Sequence, residues 1–426
     1  MRALLYIIKP TNKCLSWLGR AFLLGLCFVL MTVDAKSQFL QDSEIHVDLT
    51  GYGEYRNSNW EYNQALGNSW GDRDLRAILG SFGVRFTSGY AGFLGADLST
   101  YTNIGAAVGM TEVLKHDFDN NKERNVADLN VIALKTRFVG AGMQFDFKIG
   151  YVPIDVGNIG YGDTLHEHSY RGFEAKLLFN EEIELSYAAA DRFSPEFSDG
   201  MDDMMFGSVH EDFIHTVGVK RIFQDGYVDA GVGHGADYRI NAQVALLYPM
   251  PVSAGVVELT GFAHLGRYLG STGYSGISNE YYIGAGLTFT YADFVRLRFG
   301  HSYTSARNSG EMNFRLTPWG QSDERAFLQT AGRLDYFAWD DEIATQVGAT
   351  LLFDRMDFPG LEFGVTVIRG WNEAYELDTH LQYKFPEGST LAGVTAGVYQ
   401  SRLRFNNGMK NEDAIKVALG YSFQFR

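Results

Sequence analysis

The sequence predicts an all-β fold: a transmembrane, antiparallel, up-and-down β-barrel of eighteen strands. Three observations carry this. Apolar and polar residues alternate with a period of two in run after run, as strands with one dry and one wet face require. The connections between the runs alternate short and long, the layout of a barrel with short periplasmic turns and long extracellular loops. An export-type N-terminus is followed by no apolar run of the roughly 18 residues that a membrane helix needs.

In chain order, the first element is a signal peptide. Arg2, Lys9, Lys13 and Arg20 precede the short apolar stretch "AFLLGLCFVLMTV", and small residues follow it. Cleavage falls after Ala35 or after Ser37, so residues 1–35 are read as signal and 36–426 as barrel. Leu26 stands where a lipoprotein signal would place a small residue before Cys27. Cys14 and Cys27 are the only cysteines and leave with the signal, so the exported chain has no disulfide. The net charge is −15. Without residues 1–35, which hold four basic residues and Asp34, it is about −18. That excess of acid disfavours nucleic acid as a partner.

The strands follow. "EIHVDLTGYGEY" sets Ile45, Val47 and Leu49 against Glu44, His46, Asp48 and Thr50; "MQFDFKIGY" sets Met143, Phe145, Phe147, Ile149 and Tyr151 against Gln144, Asp146 and Lys148. The predicted spans are 44–56, 76–87, 90–101, 129–139, 143–152, 171–179, 183–191, 213–223, 227–235, 240–248, 256–267, 280–291, 294–303, 343–353, 361–371, 375–384, 391–404 and 414–425. A nineteenth alternating run, 327–337, is assigned to a long external loop, because single-chain bacterial barrels have even strand numbers. Sixteen strands is the competing count. The short turns include 87–90, 140–142, 180–182, 225–226 and 292–293. Asp225-Gly226 reads as a two-residue hairpin turn, since both residues tolerate positive φ. The long connections include 57–75, 102–128, 153–170, 192–212 and 304–342. The last strand, "KVALGYSFQFR", places Tyr421, Phe423 and Phe425 on the lipid face. Its aromatic end suits recognition by the barrel-assembly machinery, although Arg426 follows the final aromatic.

Three stretches resemble the OprD-like family of substrate-specific outer-membrane porins: "FTSGYAGFLGADL" (86–98), "IGYVPIDVGNIGYGDTLHEHSYRGFEAKL" (149–177) and "FPGLEFGVTVIRGWNEAYELDTHLQYKFPEGSTLAGVTAGVYQSRLRF" (358–405). The resemblance runs in order along nearly the whole exported chain. It implies eighteen strands, a pore narrowed by inward loops, and passive uptake of small hydrophilic nutrients, often carboxylate-bearing: amino acids, small peptides or organic acids. In "GDTLHEHSYRG" the chain departs from the family, with His166, Glu167 and His168 where an Asp-x-Arg and a proline are usual. A general non-specific porin and a structural or adhesive barrel are the alternatives.

The candidate site residues come from the wet faces. Lys135, Arg137, Asp146, Lys148, Lys176, Arg296 and Arg298 are placed in the lumen, as are Glu44, Asp48, Asp97, Glu174, Glu376 and Asp378. Charged walls of this kind orient and select solutes; the plainer reading is that a wet lumen is simply polar. Loop 153–170, carrying Asp155, Tyr161, Asp163, His166 and Glu167 and followed by Arg171, is expected to be a constriction loop that narrows the pore beside Arg296 and Arg298. "HEH" offers two imidazoles but no fixed third ligand, so no metal is assigned. The acidic stretch 192–212 reads as a solvated external loop. "GVGHGA" (231–236) has no helix after it and is not a dinucleotide fingerprint. No nucleophile motif accompanies the strand histidines, so no enzymatic activity and no cofactor are expected. The expected partners are outer-membrane lipid, lipopolysaccharide, the assembly machinery during biogenesis and small solutes; a homo-oligomer is compatible with the sequence.

Overall fold

A computed structural model describes residues 39–60, 73–108, 124–160, 168–194, 200–206, 209–269, 279–307, 314, 328–371, 374–405 and 410–425. The signal segment lies outside them. Twenty strands are described: β1 (Glu44–Trp60), β2 (Arg73–Thr87), β3 (Leu94–Val108), β4 (Arg124–Gly140), β5 (Met143–Val152), β6 (Tyr170–Phe179), β7 (Ile183–Phe193), β8 (Asp202–Phe206), β9 (Val209–Glu211), β10 (Ile214–Phe223), β11 (Gly226–Gly235), β12 (Arg239–Val252), β13 (Gly255–Tyr268), β14 (Asn279–Tyr291), β15 (Val295–Ser305), β16 (Glu342–Leu352), β17 (Leu361–Gly370), β18 (Ala374–Lys384), β19 (Val394–Phe405) and β20 (Lys410–Phe425). Eighteen are staves, each pairing antiparallel with its neighbours, and β10 pairs with β7. β8 and β9 form a small hairpin above that junction, inside the acidic stretch read as a plain loop. The barrel closes where β1 pairs with β20, from Ile45 opposite Phe425 to Trp60 opposite Lys410.

Closure is what makes the alternation meaningful, since no strand edge is left to lipid. The outward side chains form an exposed apolar belt that includes Leu49, Phe82, Ile149, Val217, Leu287, Val347 and Val417. At the last strand the terminal aromatics do face outward: Phe423 and Phe425 are exposed, with ring centroids 4.2 Å apart.

All eighteen predicted staves are present, with differences at their ends. The third begins at Leu94, because Ser88–Ala91 fold into a turn in which the Ser88 hydroxyl accepts the Ala96 N–H at 2.7 Å. Tyr90 is thereby freed from the ladder. The β10–β11 turn is Gln224-Asp225, with Gln224 at φ 49° and Phe223 paired to Gly226. Gly226 is needed for a different reason: a Cβ there would lie 2.5 Å from the Leu247 carbonyl oxygen on β12. Elsewhere the positive-φ turns fall as expected, at Ala141-Gly142 and Ala292-Asp293.

Candidate functional site: the lumen and its two inward segments

Among the described residues, two of the long connections turn into the barrel. The first follows β5. Val156 and Ile159 exchange backbone hydrogen bonds at 2.8 and 3.0 Å, closing a tight turn at Gly157-Asn158. That turn lies on the wall made by β10, β11 and β12. The Asn158 N–H donates to Thr216 Oγ1 at 3.2 Å, Asn158 Nδ2 to Gln243 Oε1 at 3.0 Å, and Gln243 Nε2 to the Gly157 carbonyl at 2.7 Å. Backbone meets backbone here: a Cβ on Gly231 would stand 2.6 Å from the Gly157 Cα. The flank of the segment is apolar, with Ile154, Val156 and Ile159 buried against Val131, Ala133, Ala188 and Ala190 of the wall. Asp155 alternates out of this cluster and is exposed.

The second inward segment is 328–341, between β15 and β16. It crosses the wall from β14 to β19. Thr330 Oγ1 and Ser302 Oγ are 2.6 Å apart, and Gln346 Nε2 donates to the Ala331 carbonyl at 3.2 Å. A Cβ on Gly300 would lie 1.9 Å from the Gln329 carbonyl oxygen. Its far end is fastened by β18. Glu376 Oε1 accepts the N–H groups of Arg333 at 2.7 Å and Leu334 at 2.8 Å, and Oε2 accepts that of Asp335 at 3.1 Å. Asp378 Oδ2 accepts the Arg333 N–H as well, at 3.2 Å. Phe337 is fully buried among Ala344, Ile368 and Leu403. The stretch expected to be an external loop is therefore a lining of the pore. A lumen wider than its side chains must be filled or left wet, and this segment is apolar enough to fill it.

The sequence-predicted lumenal charges all lie on inward faces, but they are not equivalent. Lys135 is 5% exposed. Its Nζ is 2.7 Å from Asp97 Oδ1, and Lys148 reaches the other oxygen at 3.5 Å. Tyr90, freed from β3, lies under both Lys135 and Arg137, at 5.2 and 4.9 Å from its ring centroid. Arg137 donates to Asp146 at 2.6 Å, and Lys176 is 3.2 Å from Glu174. This wall is a lattice of matched charges. On β15, Arg296 is 3.9 Å from Glu362, which His380 also approaches at 3.7 Å. Arg298 is exposed, with no ion pair or hydrogen bond among the described residues. It sits one lumenal position below Gly300, under the second inward segment.

The described part of the expected constriction loop, 153–160, lies inward, but the segment beside Arg298 is the other one, 328–341. Asp155 faces the lumen from the first segment. Tyr161, Asp163, His166 and Glu167 lie outside the described residues. Arg171 is not a loop residue: it is the second residue of β6, opposite Tyr151 on the outward face, with its Nε donating to Asp191 Oδ1 at 2.8 Å. His168 Nδ1 lies 2.8 Å from the Ser194 carbonyl oxygen, and burial holds its pKa down at about 4. In the acidic stretch, Glu211 is buried and accepts the Asp237 N–H at 2.5 Å; burial raises its pKa.

Sequence reasoning missed segment 328–341 and the residues that fasten it. The signal was present in the glycines. Gly231, Gly284, Gly286 and Gly300 all occupy lumenal positions, where a merely wet surface has no use for them. Each is a place where an inward segment or its anchoring side chains come too close for a Cβ.

Barrel closure, the lipid-facing belt and the two inward segments define the class: a transmembrane β-barrel with an internally narrowed lumen. The fold is that of the OprD-like porins, as solved structures from Pseudomonas aeruginosa show. OccK1 (OpdK) aligns with a TM-score of 0.69 at 17% identity, over 91% of this chain and 100% of that one. OpdK in a structure with vanillate gives 0.70 at 16%, with the same coverage. OccK9 (OpdG) gives 0.71 at 15%, again over 91% and 100%. No protein-family profile and no curated sequence matches the chain.

Proposed function

We propose that this chain is an outer-membrane channel for passive uptake of small hydrophilic solutes, with carboxylate-bearing nutrients as the favoured cargo. In this reading residues 1–35 are removed on export. The observation that carries the proposal is Arg298: an accessible guanidinium with no ion-pair or hydrogen-bond partner among the described residues, directly beneath the segment that narrows the lumen. In a narrowed, poorly hydrated throat, a unit charge about 4 Å from a solute charge is worth roughly 4 kcal/mol at an effective dielectric of 20, against about 1 in bulk water. Arg296, tied loosely to Glu362, supplies a second positive step below it. The matched lattice around Asp97 supports the wall rather than offering free charge. The solved structure of OpdK with vanillate supports a small organic molecule as the kind of cargo such a fold takes.

The test is reconstitution. The protein should fractionate with the outer membrane, conduct ions in planar bilayers, and admit small organic acids into liposomes faster than neutral sugars of equal size. Folded protein that gives no channels would support a structural or adhesive barrel. Channels that pass all small solutes equally would support a general porin.

A further inference from the structure

Near its extracellular rim the outer face of the barrel carries a cluster of arginines from β17 to β2. On β17 the outward residue Arg369 is exposed and pairs across the sheet with Tyr375. Tyr375 pairs in turn with Arg404 on β19. Arg402, two residues below Arg404 on the same outward face, stands opposite Asp413 of β20. Arg402 Nε donates to Asp413 Oδ1 at 2.9 Å and Arg404 Nη2 to Oδ2 at 2.5 Å. On β2, past the closure seam, outward Arg76 lies over the Tyr55 ring at 5.8 Å. Arg369 has no acidic partner among the described residues. Across β17 to β2, then, four outward guanidiniums share one described outward carboxylate. Exposed Trp371 stands beside them.

The height of the cluster on the barrel matters. From Phe423 in the terminal aromatic group to Asp413 is ten residues of β20. That is about 34 Å of strand, or roughly 26 Å along the axis at a tilt near 40°. The apolar band of such barrels is about 25 Å tall, so the arginines stand at its upper edge. Val367, Val398, Ile415 and Val417, all exposed, lie below them. Tyrosine and tryptophan are the usual residues of an interface, but a surplus of about three positive charges among the described outward residues is not needed for anchoring. A guanidinium fork matches a phosphate bidentately, and holding it between two arginines fixes its position.

We propose that this face binds the phosphate groups of a phosphorylated glycolipid of the outer leaflet, with its acyl chains lying on the valine and isoleucine surface below. The proposal rests on the reading of the chain as an outer-membrane barrel. Arg369 and Arg402 contribute the phosphate contacts, while Arg404 is held in place by its bonds to Asp413 and to the Leu403 and Glu412 carbonyls at 2.7 and 3.1 Å.

The test uses the full folded chain in detergent, with native mass spectrometry of bound bisphosphorylated lipid A and of the same lipid with both phosphates removed. Wild type should retain the phosphorylated form at least about tenfold better, and R369Q/R402Q should lose most of that preference. R221Q, which changes an outward arginine at the periplasmic end of β10, should leave it intact. Equal retention of the two lipids by wild type, or an unchanged preference in the double variant, overturns the proposal. So does complete displacement by millimolar inorganic phosphate, which would mark a bare anion site. If the double variant does not give the heat-modifiable band of a folded barrel, the two-lipid comparison on wild type and the R369Q single variant decide. Membrane fractionation and bilayer conductance are measured separately, so a failure of the channel reading is distinguished from a failure of this site.

Discussion

Replacing Glu376 with alanine should open the pore. Its two oxygens accept three backbone N–H groups from residues 333–335, at 2.7, 2.8 and 3.1 Å, and nothing else on β18 except Asp378 can take their place. Each such bond contributes about 1 kcal/mol net, and a buried N–H left without an acceptor costs about 1–3. The lumen is wet, so water can reach the freed donors and the low end applies. A loss of about 3 kcal/mol shifts the docked-to-undocked ratio of this turn about 150-fold. The barrel ladders do not depend on Glu376, so the variant should still fold and resist detergent. Single-channel conductance should rise, with added flicker, and liposome swelling should admit larger sugars. Glutamine, which keeps one acceptor oxygen, should fall between. A folded E376A protein with the conductance and size limit of wild type would refute the claim that this carboxyl group fastens the constriction.

Three further outcomes follow from the same geometry. R298E should move the reversal potential toward cation selectivity and slow the uptake of anionic solutes, whereas K135Q, deep in the Asp97 pair, should lower thermal stability and change selectivity little; bilayer recordings and melting curves separate the two. Gly300→Val places side-chain atoms where the Gln329 carbonyl lies, so the second inward segment should be displaced, giving either a wider pore or a lower yield of heat-modifiable barrel. His168 has a folded pKa of about 4 against 6.5 unfolded, so the unfolded segment binds the extra proton first; the stability it contributes is complete above about pH 6.5 and is lost as pH falls toward 4, by at most about 3 kcal/mol. Protection factors at 168–169 and 194, which divide out the intrinsic pH dependence of amide exchange, should therefore fall between pH 7 and pH 5, and H168F should remove that fall.

The eighteen staves and the face most of their side chains take were legible in the sequence, with Arg171, outward on β6, an exception. A period of two is a local property, set by backbone geometry and read directly from Ile45 to Phe425. The lumenal placement of Lys135, Lys148, Arg296 and Arg298 followed from it without further information. What the sequence could not say is which of these charges is free. Lys135 and Arg298 look alike in a strand pattern. They differ because Asp97 stands on the stave next to Lys135, while Thr288 and Gly348 flank Arg298 on its neighbouring staves. Nor could it say which long connection turns inward. The run 327–337, which makes up most of that segment, reads as a nineteenth strand, with its alternating Leu328, Thr330, Leu334 and Tyr336. Only the closed barrel creates the cavity that makes burial of Phe337 and docking on Glu376 more favourable than exposure to water. That choice depends on contacts between residues about forty positions apart, and tertiary structure alone brings them together.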